Sequence, residues 1–377
     1  MATAFSDIQP DEYTPSEQHP QHGVIIGGPA ARAKRIEYGI LLSSMVLGSL
    51  GALYWTIFHA TGWVEWSAFL FGFALINMGV GIGYHRYFTH RAFEAGPKMR
   101  LAIGIMAQMA CQASVLKWAA DHRRHHAFAD GVGDVHSPYV DGHGKNMSKW
   151  KGLGIAHFGW LFDNTTSDMK VYGKGLIDDP QVLWCHKHRW SIAIFSSIVL
   201  PALWALAFGG PEHIIGTILI GGFFRNFFFL NFVMGVNSIG HVFGSQRFET
   251  KDGSRNNWFM AWMTFGDGWH NNHHQHPRAA SSQIAWWEFD LNGQIIYLWE
   301  KMGLVWNVQR APAYIRNEKG EWVQKKPKVA TAKFDEPEVM SADDGGILFP
   351  ADKPCSRRTS SAISNPPSEG PRTSPLM

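Results

Sequence analysis

The sequence predicts an all-α membrane protein, with four transmembrane helices and a cytoplasmic helical cap that holds a His-rich dinuclear metal site. Three observations carry this reading. Four apolar runs, 38–58, 63–83, 191–208 and 214–240, are long enough to cross a hydrocarbon core, which takes about 20 residues. The links inside each pair, 59–62 and 209–213, contain no Lys or Arg, so the basic residues gather on the opposite, cytoplasmic side. Finally, three histidine clusters adjoin apolar runs: His85-Arg-Tyr-Phe-Thr-His90, His122-Arg-Arg-His125-His126 and His270-Asn-Asn-His273-His274.

Composition agrees. Charged residues make up 17% of the 377 and aromatics 14%, with 17 Trp, the profile of a bilayer protein with aromatic interfaces. A net charge of +3 without a basic, aromatic-interleaved patch excludes nucleic acid as a partner. Cys111, Cys185 and Cys355 stand alone, so neither a disulfide framework nor a CxxC metal site is expected.

In chain order, residues 1–30 read as a disordered lead with Pro10, Pro15 and Pro20 and no cleavable signal. A membrane domain follows over 31–310. Its first two spans are 38–58 and 63–83. The run 99–120 is also apolar, but it carries Arg100, Gln108, Gln112, Ser114 and Lys117. As a span it would put the second histidine cluster across the membrane from the first. It is therefore read as an interfacial or re-entrant helix covering the site. The third and fourth spans, 191–208 and 214–240, are joined through a Gly-Gly-Pro turn. Arg225 falls mid-span, where a charge is costly and usually paired or functional; the sequence assigns it no partner. Residues 311–377 read as a polar, largely disordered tail. Both termini are expected in the cytoplasm.

On a helix, positions i, i+3 and i+4 share a face. His122, His125 and His126 can thus point one way, and so can His270, His273 and His274. His85 and His90, five apart, share no face on a regular helix and are placed where the second span ends and the chain turns. Neutral imidazole suits iron, zinc or copper. A tetrahedral zinc takes about four ligands, so eight clustered imidazoles imply two metals. His59, His143, His186, His188, His213 and His276 are isolated and read as ordinary polar residues. No Glu-x-x-His pair and no His-Glu-x-x-His motif occurs, which leaves a histidine-only dinuclear site rather than a ferritin-like or protease one.

At these residues the chain resembles the membrane fatty acyl desaturases, specifically the stearoyl-CoA (Δ9) group, over about 79–310. Asp121-His-Arg, Gly133-Asp134-Val-His136, His157-Phe-Gly-Trp160, Asn237-Ser-Ile-Gly-His241 and Gly266-Asp-Gly-Trp-His270 are similar to that family's segments. The resemblance implies a di-iron site in which His241 is a ninth ligand beside His85, His90, His122, His125, His126, His270, His273 and His274. It also implies that Asn237 reaches one iron through water. His136 and His157 match non-ligands. Asp121, Asp134 and Asp267 are candidates to hydrogen-bond ligating imidazoles.

The same resemblance implies O2 as co-substrate and a cis Δ9 double bond made in a long saturated acyl chain. That chain would lie in a bent tunnel. Trp118 matches a residue at the bend and Phe73 matches the one that closes the end. Asp121, Val233 and Met234 complete the expected substrate contacts. Val233 and Met234 stand where acyl-CoA enzymes have Thr and Trp, and Ala120 stands where they have an Arg that meets the CoA headgroup. An acyl-CoA thioester remains the expected substrate, with acyl-carrier protein or intact lipid as alternatives. No His-Pro-Gly-Gly haem signature occurs, so electrons are expected from a separate cytochrome b5, ferredoxin or rubredoxin. The resemblance places the protein in a bacterial inner membrane or the endoplasmic reticulum, with a cytoplasmic active site. The competing readings are a membrane di-iron hydroxylase and a His-rich metal transporter. The latter would need polar groups at mid-membrane, and the first three spans have no acidic or histidine residue in their interiors.

Overall fold

The computed structural model describes residues 21–142, 144–317 and 319–325. The disorder expected for 1–20 and for 326–377 lies outside the described residues. Four helices are long and apolar enough to cross a membrane: α1 (Gly28–Phe58), α2 (Trp63–Thr89), then α7 (Arg189–Phe208) and α8 (Pro211–Val242). Between α2 and α7 come α3 (Pro97–Gln108), α4 (Val115–Phe128), α5 (Lys149–His157) and α6 (Pro180–Lys187). After α8 come α9 (Trp258–Met263), α10 (His270–Gln275) and α11 (Leu291–Lys301).

The spans differ in burial as their composition requires. α2 and α8 form the inner pair, whereas α1 and α7 expose Leu47, Leu53, Ile57, Leu203 and Leu206. Such a helix, apolar on its outer face, suits lipid rather than water. Arg225, buried in α8, finds neutral partners: its Nη2 donates to the Ser196 carbonyl at 3.1 Å, to Ser196 Oγ at 2.9 Å and to Asn226 Oδ1 at 2.8 Å. Gly72 on α2 makes room, since a Cβ there would meet Arg225 Nη1 at 2.4 Å.

Helix α1 begins at Gly28, well before the apolar run. The lead expected to be disordered is partly ordered. Its residues Val24–Ile26 form β1, which pairs antiparallel with a strand at Thr165–Ser167, Val24 opposite Ser167. Lys34 ties α1 to this segment, donating to the carbonyls of Trp160 and Thr165 at 2.9 and 2.7 Å. The run 99–120, expected as one helix, is two. Between α3 and α4 the backbone turns through left-handed Cys111 (φ 55°) and Ala113 (φ 65°). Gln108 braces the turn, donating to the Ala113 carbonyl at 2.6 Å and accepting from the Val115 N–H at 3.2 Å. Ser114 then caps α4. The expected tail also starts with structure. Tyr314–Arg316 and Trp322–Gln324 form an antiparallel hairpin, with Arg247 stacked over Trp322 at 4.5 Å.

The last eleven residues of α2, Gly79–Thr89, are wound as a π-helix. The His90 N–H bonds the His85 carbonyl at 3.1 Å, the i to i+5 pattern of that helix. A five-residue spacing is therefore a shared face here, and the two rings lie 5.0 Å apart. Glycine permits the close packing around this segment. A Cβ on Gly79 would meet the Met106 carbonyl at 2.3 Å, and one on Gly81 would meet Asn292 Nδ2 at 2.0 Å.

Candidate metal centre

The four histidine-bearing elements, π-wound α2, α4, the end of α8 and α10, converge at one end of the bundle. Ring nitrogens of nine histidines fall into two adjacent groups, each within 4.8 Å: His85, His90, His122, His126 and His273, and then His125, His241, His270 and His274. Each His-x-x-His-His box is divided between them. In α4 the i and i+4 rings join one group and the i+3 ring the other. In α10 the assignment is exchanged, as expected of two short helices facing each other across the site.

Four carboxylates set the tautomers. His125 Nδ1 donates to Asp134 at 2.9 Å, His241 to Asp130 at 2.9 Å and His274 to Asp252 at 2.8 Å, with Asp267 3.4 Å from His85 Nδ1. A carboxylate can only accept, so the proton sits on Nδ1 and Nε2 is left as a bare lone pair. Those lone pairs face other imidazoles. The Nε2 atoms of His85 and His273 are 3.0 Å apart, those of His241 and His270 3.0 Å, and those of His125 and His274 3.4 Å. Metal–imidazole bonds of about 2.0–2.1 Å give ligand–ligand edges of about 3.0 Å at right angles and about 3.4 Å at the tetrahedral angle. In the His125–His274 pair both rings carry their proton on Nδ1, so two lone pairs oppose each other, and these repel unless a cation lies between them. His90 Nε2 is buried without a hydrogen-bond partner among the described residues, as a ligand atom would be. The donor set therefore fits a pair of metal ions.

The electrostatics agree. Burial, reinforced by neighbouring rings, pushes His90, His122, His126, His270, His273 and His274 well below the ordinary histidine range. These rings stay neutral, as ligands must. Burial also works against a charged His125, yet Asp134 beside it raises that ring overall. Burial would raise the Asp134 and Asp267 carboxyls. The His125 ring hydrogen-bonded to the first, and the His85 ring with the Arg86 guanidinium beside the second, hold them below the usual carboxylate range. Arg86 clamps the last box to the π-helix, bonding Asp267 at 2.9 Å, Asp290 at 3.0 Å and the Ala280 carbonyl at 2.8 Å.

A cavity opens from His85, His122 and His270 into the protein, lined by Tyr38, Val80, Trp118, Asp121, Trp160, Phe229, Val233, Met234 and Asn237 among others. Trp118 stacks on Tyr84 at 5.2 Å and lies 4.9 Å from the His122 ring. Of the expected substrate contacts, Phe73 does not line this cavity. It packs one ring further back, edge-on at 5.6 Å to Phe229, which does line the cavity. Asp121 does not support an imidazole; it accepts from Ser167 Oγ at 2.6 Å.

The carboxylates on His241 and His274, Asp130 and Asp252, escaped the sequence reading. They lie in loops at no fixed spacing from their rings, and only closeness to a box hinted at Asp130. His136 lies tilted against His125 at 4.3 Å and belongs to neither the five-ring nor the four-ring group. His157 hydrogen-bonds Ser238 Oγ at 2.9 Å, away from the cluster. His59, His186, His188, His213 and His276 stay outside the cluster, bonded or stacked elsewhere. His143 lies outside the described residues.

Comparison with known proteins follows the same residues. The fatty acid desaturase family profile matches residues 34–300. The chain is 33% identical over 273 residues to a hex-5-enoyl-[acyl-carrier protein] acetylenase of Moorena producens, covering 72% of this chain and 84% of that protein. It is 32% identical to an sn-1 stearoyl-lipid 9-desaturase of a Synechocystis species, covering 65% and 71%. It is 26% identical to Delta-9 acyl-lipid desaturase 2 of Arabidopsis thaliana, covering 74% and 84%.

Proposed function

Because the chain belongs to the fatty acid desaturase family, we propose that it is an O2-dependent di-iron desaturase placing a cis double bond at Δ9 of a long saturated acyl chain. The observation that carries this reading is the double imidazole cluster, five rings beside four, at the head of a largely apolar cavity. When bound, a pair of irons with O2 supplies the oxidising power to take hydrogen from two neighbouring unactivated methylenes.

The chain's own residues provide the setting. Asp134, Asp130, Asp252 and Asp267 hold protons at Nδ1 of His125, His241, His274 and His85, which aims each Nε2 inward. Asn237, which like His270 lines the cavity, offers the amide that the family resemblance assigns to a metal-bound water. Trp118, Val233 and Met234 wall the cavity, exclude water and fix which carbons lie against the cluster. A C–H bond is not acidic, so no side chain is assigned as a general base.

The carrier is read as a membrane lipid or acyl-carrier protein, in preference to the coenzyme A expected above. Relatives are named for those two carriers, and Ala120 removes the arginine that meets coenzyme A in the acyl-CoA enzymes. The cap, with both termini, is assigned to the cytoplasm because the links at the other end hold no Lys or Arg. Electrons come from a separate cytochrome b5, ferredoxin or rubredoxin docking on that cap. The test is expression in a desaturase-deficient host, with mass spectrometry locating any new double bond. Loss of two hydrogens at C9–C10 is expected. Gain of one oxygen would make the protein a hydroxylase, and unchanged lipids would refute both.

A further inference from the structure

A second pocket lies away from the histidines, where α2 gives way to α3. A short strand at Glu94–Ala95 pairs there with Val305–Trp306. The pocket is lined by Arg91, Arg100, Arg278, Glu94, Gly175 and Trp306, among others. We propose that it binds the phosphate of an anionic phospholipid headgroup.

Charge is the first argument. Three guanidinium groups meet one carboxylate in the lining, and Glu94 is engaged by the Trp306 Nε1–H at 2.9 Å. Arg100 is paired with Asp179. Arg91 and Arg278 are exposed, and among the described residues neither side chain has a hydrogen bond or ion pair. Two free forks at one pocket are suited to a tetrahedral anion.

Construction is the second. Arg91 holds a left-handed backbone (φ 51°), its N–H fixed to the Tyr87 carbonyl at 3.2 Å. Its guanidinium runs across Gly175, where a Cβ would stand 2.3 Å from Nη2. A glycine opposite and an unusual backbone conformation thus combine to aim this cation at the pocket.

Position is the third and selects the lipid. The pocket sits just past Thr89, the end of a membrane-crossing helix. Trp306 of its lining is an exposed apolar side chain, as are Leu304 and Met302 just before it in the chain. A basic pocket with an apolar rim at the end of a span is at headgroup depth, where phosphates and acyl chains meet.

The test uses the full chain, purified in detergent and analysed by native mass spectrometry with added phosphatidylglycerol, phosphatidylcholine or inorganic phosphate. Phosphatidylglycerol should be retained in preference to phosphatidylcholine. Arg278→Gln should weaken that retention about tenfold, the loss of one charge-assisted contact, and Arg278→Lys should restore part of it. Equal retention of the two lipids by the unaltered chain would overturn the proposal, as would unchanged phosphatidylglycerol binding in Arg278→Gln. Binding of inorganic phosphate with no preference for the lipid would overturn the headgroup assignment.

Discussion

His125 and His274 point their Nε2 atoms at each other across 3.4 Å while each gives its Nδ1 proton to a carboxylate, Asp134 at 2.9 Å and Asp252 at 2.8 Å. Two lone pairs held face to face by their own second partners make a cation site. Replacing Asp134 or Asp252 with Asn removes the charge that fixes the ring. Each change should lower metal affinity about ten- to hundredfold, read as faster metal loss to a chelator at constant pH. Unaltered retention would show that the carboxylates do not tune the site.

The depressed histidines give a pH dependence of known sign. Burial holds six rings well below the ordinary histidine range in the folded state. Below about pH 6.5 the unfolded chain takes up protons that the folded chain refuses, so stability falls as pH falls. The metal-free protein should show a melting temperature that drops between pH 7 and pH 5. A flat profile would mean that these rings are not buried together.

Cavity length should respond to Phe229 before Phe73. Phe229 is on the wall, and Phe73 packs behind it. Phe229→Ala should extend the accepted acyl chain, measured as the product-length profile. Phe73→Ala should chiefly destabilise, by about 3–5 kcal/mol for a buried Phe truncation. A longer product from Phe73→Ala alone, with no loss of stability, would reverse the assignment.

The C-terminal hairpin should separate two truncations. Cutting after 330 leaves Tyr314 on His276 (2.8 Å) and Trp322 under Arg247 (4.5 Å) in place, and turnover should persist. Cutting after 311 removes both contacts and should lower the melting temperature. Equal behaviour of the two truncations would show the hairpin to be dispensable.

Much of this was legible in the sequence, for definite reasons. The four spans follow from length and apolarity, and the His122 and His270 boxes from helical spacing, because both signals are local. His241 is a single ring with no local pattern, and only the family resemblance pointed to it. The His85–His90 pair defeated the 3.6-residue rule because α2 unwinds into a π-helix, whose glycines Gly79 and Gly81 sit close against Met106 and Asn292. Asp130 and Asp252 could not be matched to their rings, which lie 111 and 22 residues away. The break in 99–120 had a signal in Ser114, a helix cap standing inside an apolar run.

The most direct measurement is metal content of the purified full-length protein beside its His273→Ala variant, by elemental mass spectrometry. Two groups of imidazoles predict about two irons per chain and a clear loss in the variant. A single zinc per chain, or iron that survives His273→Ala undiminished, would contradict the account.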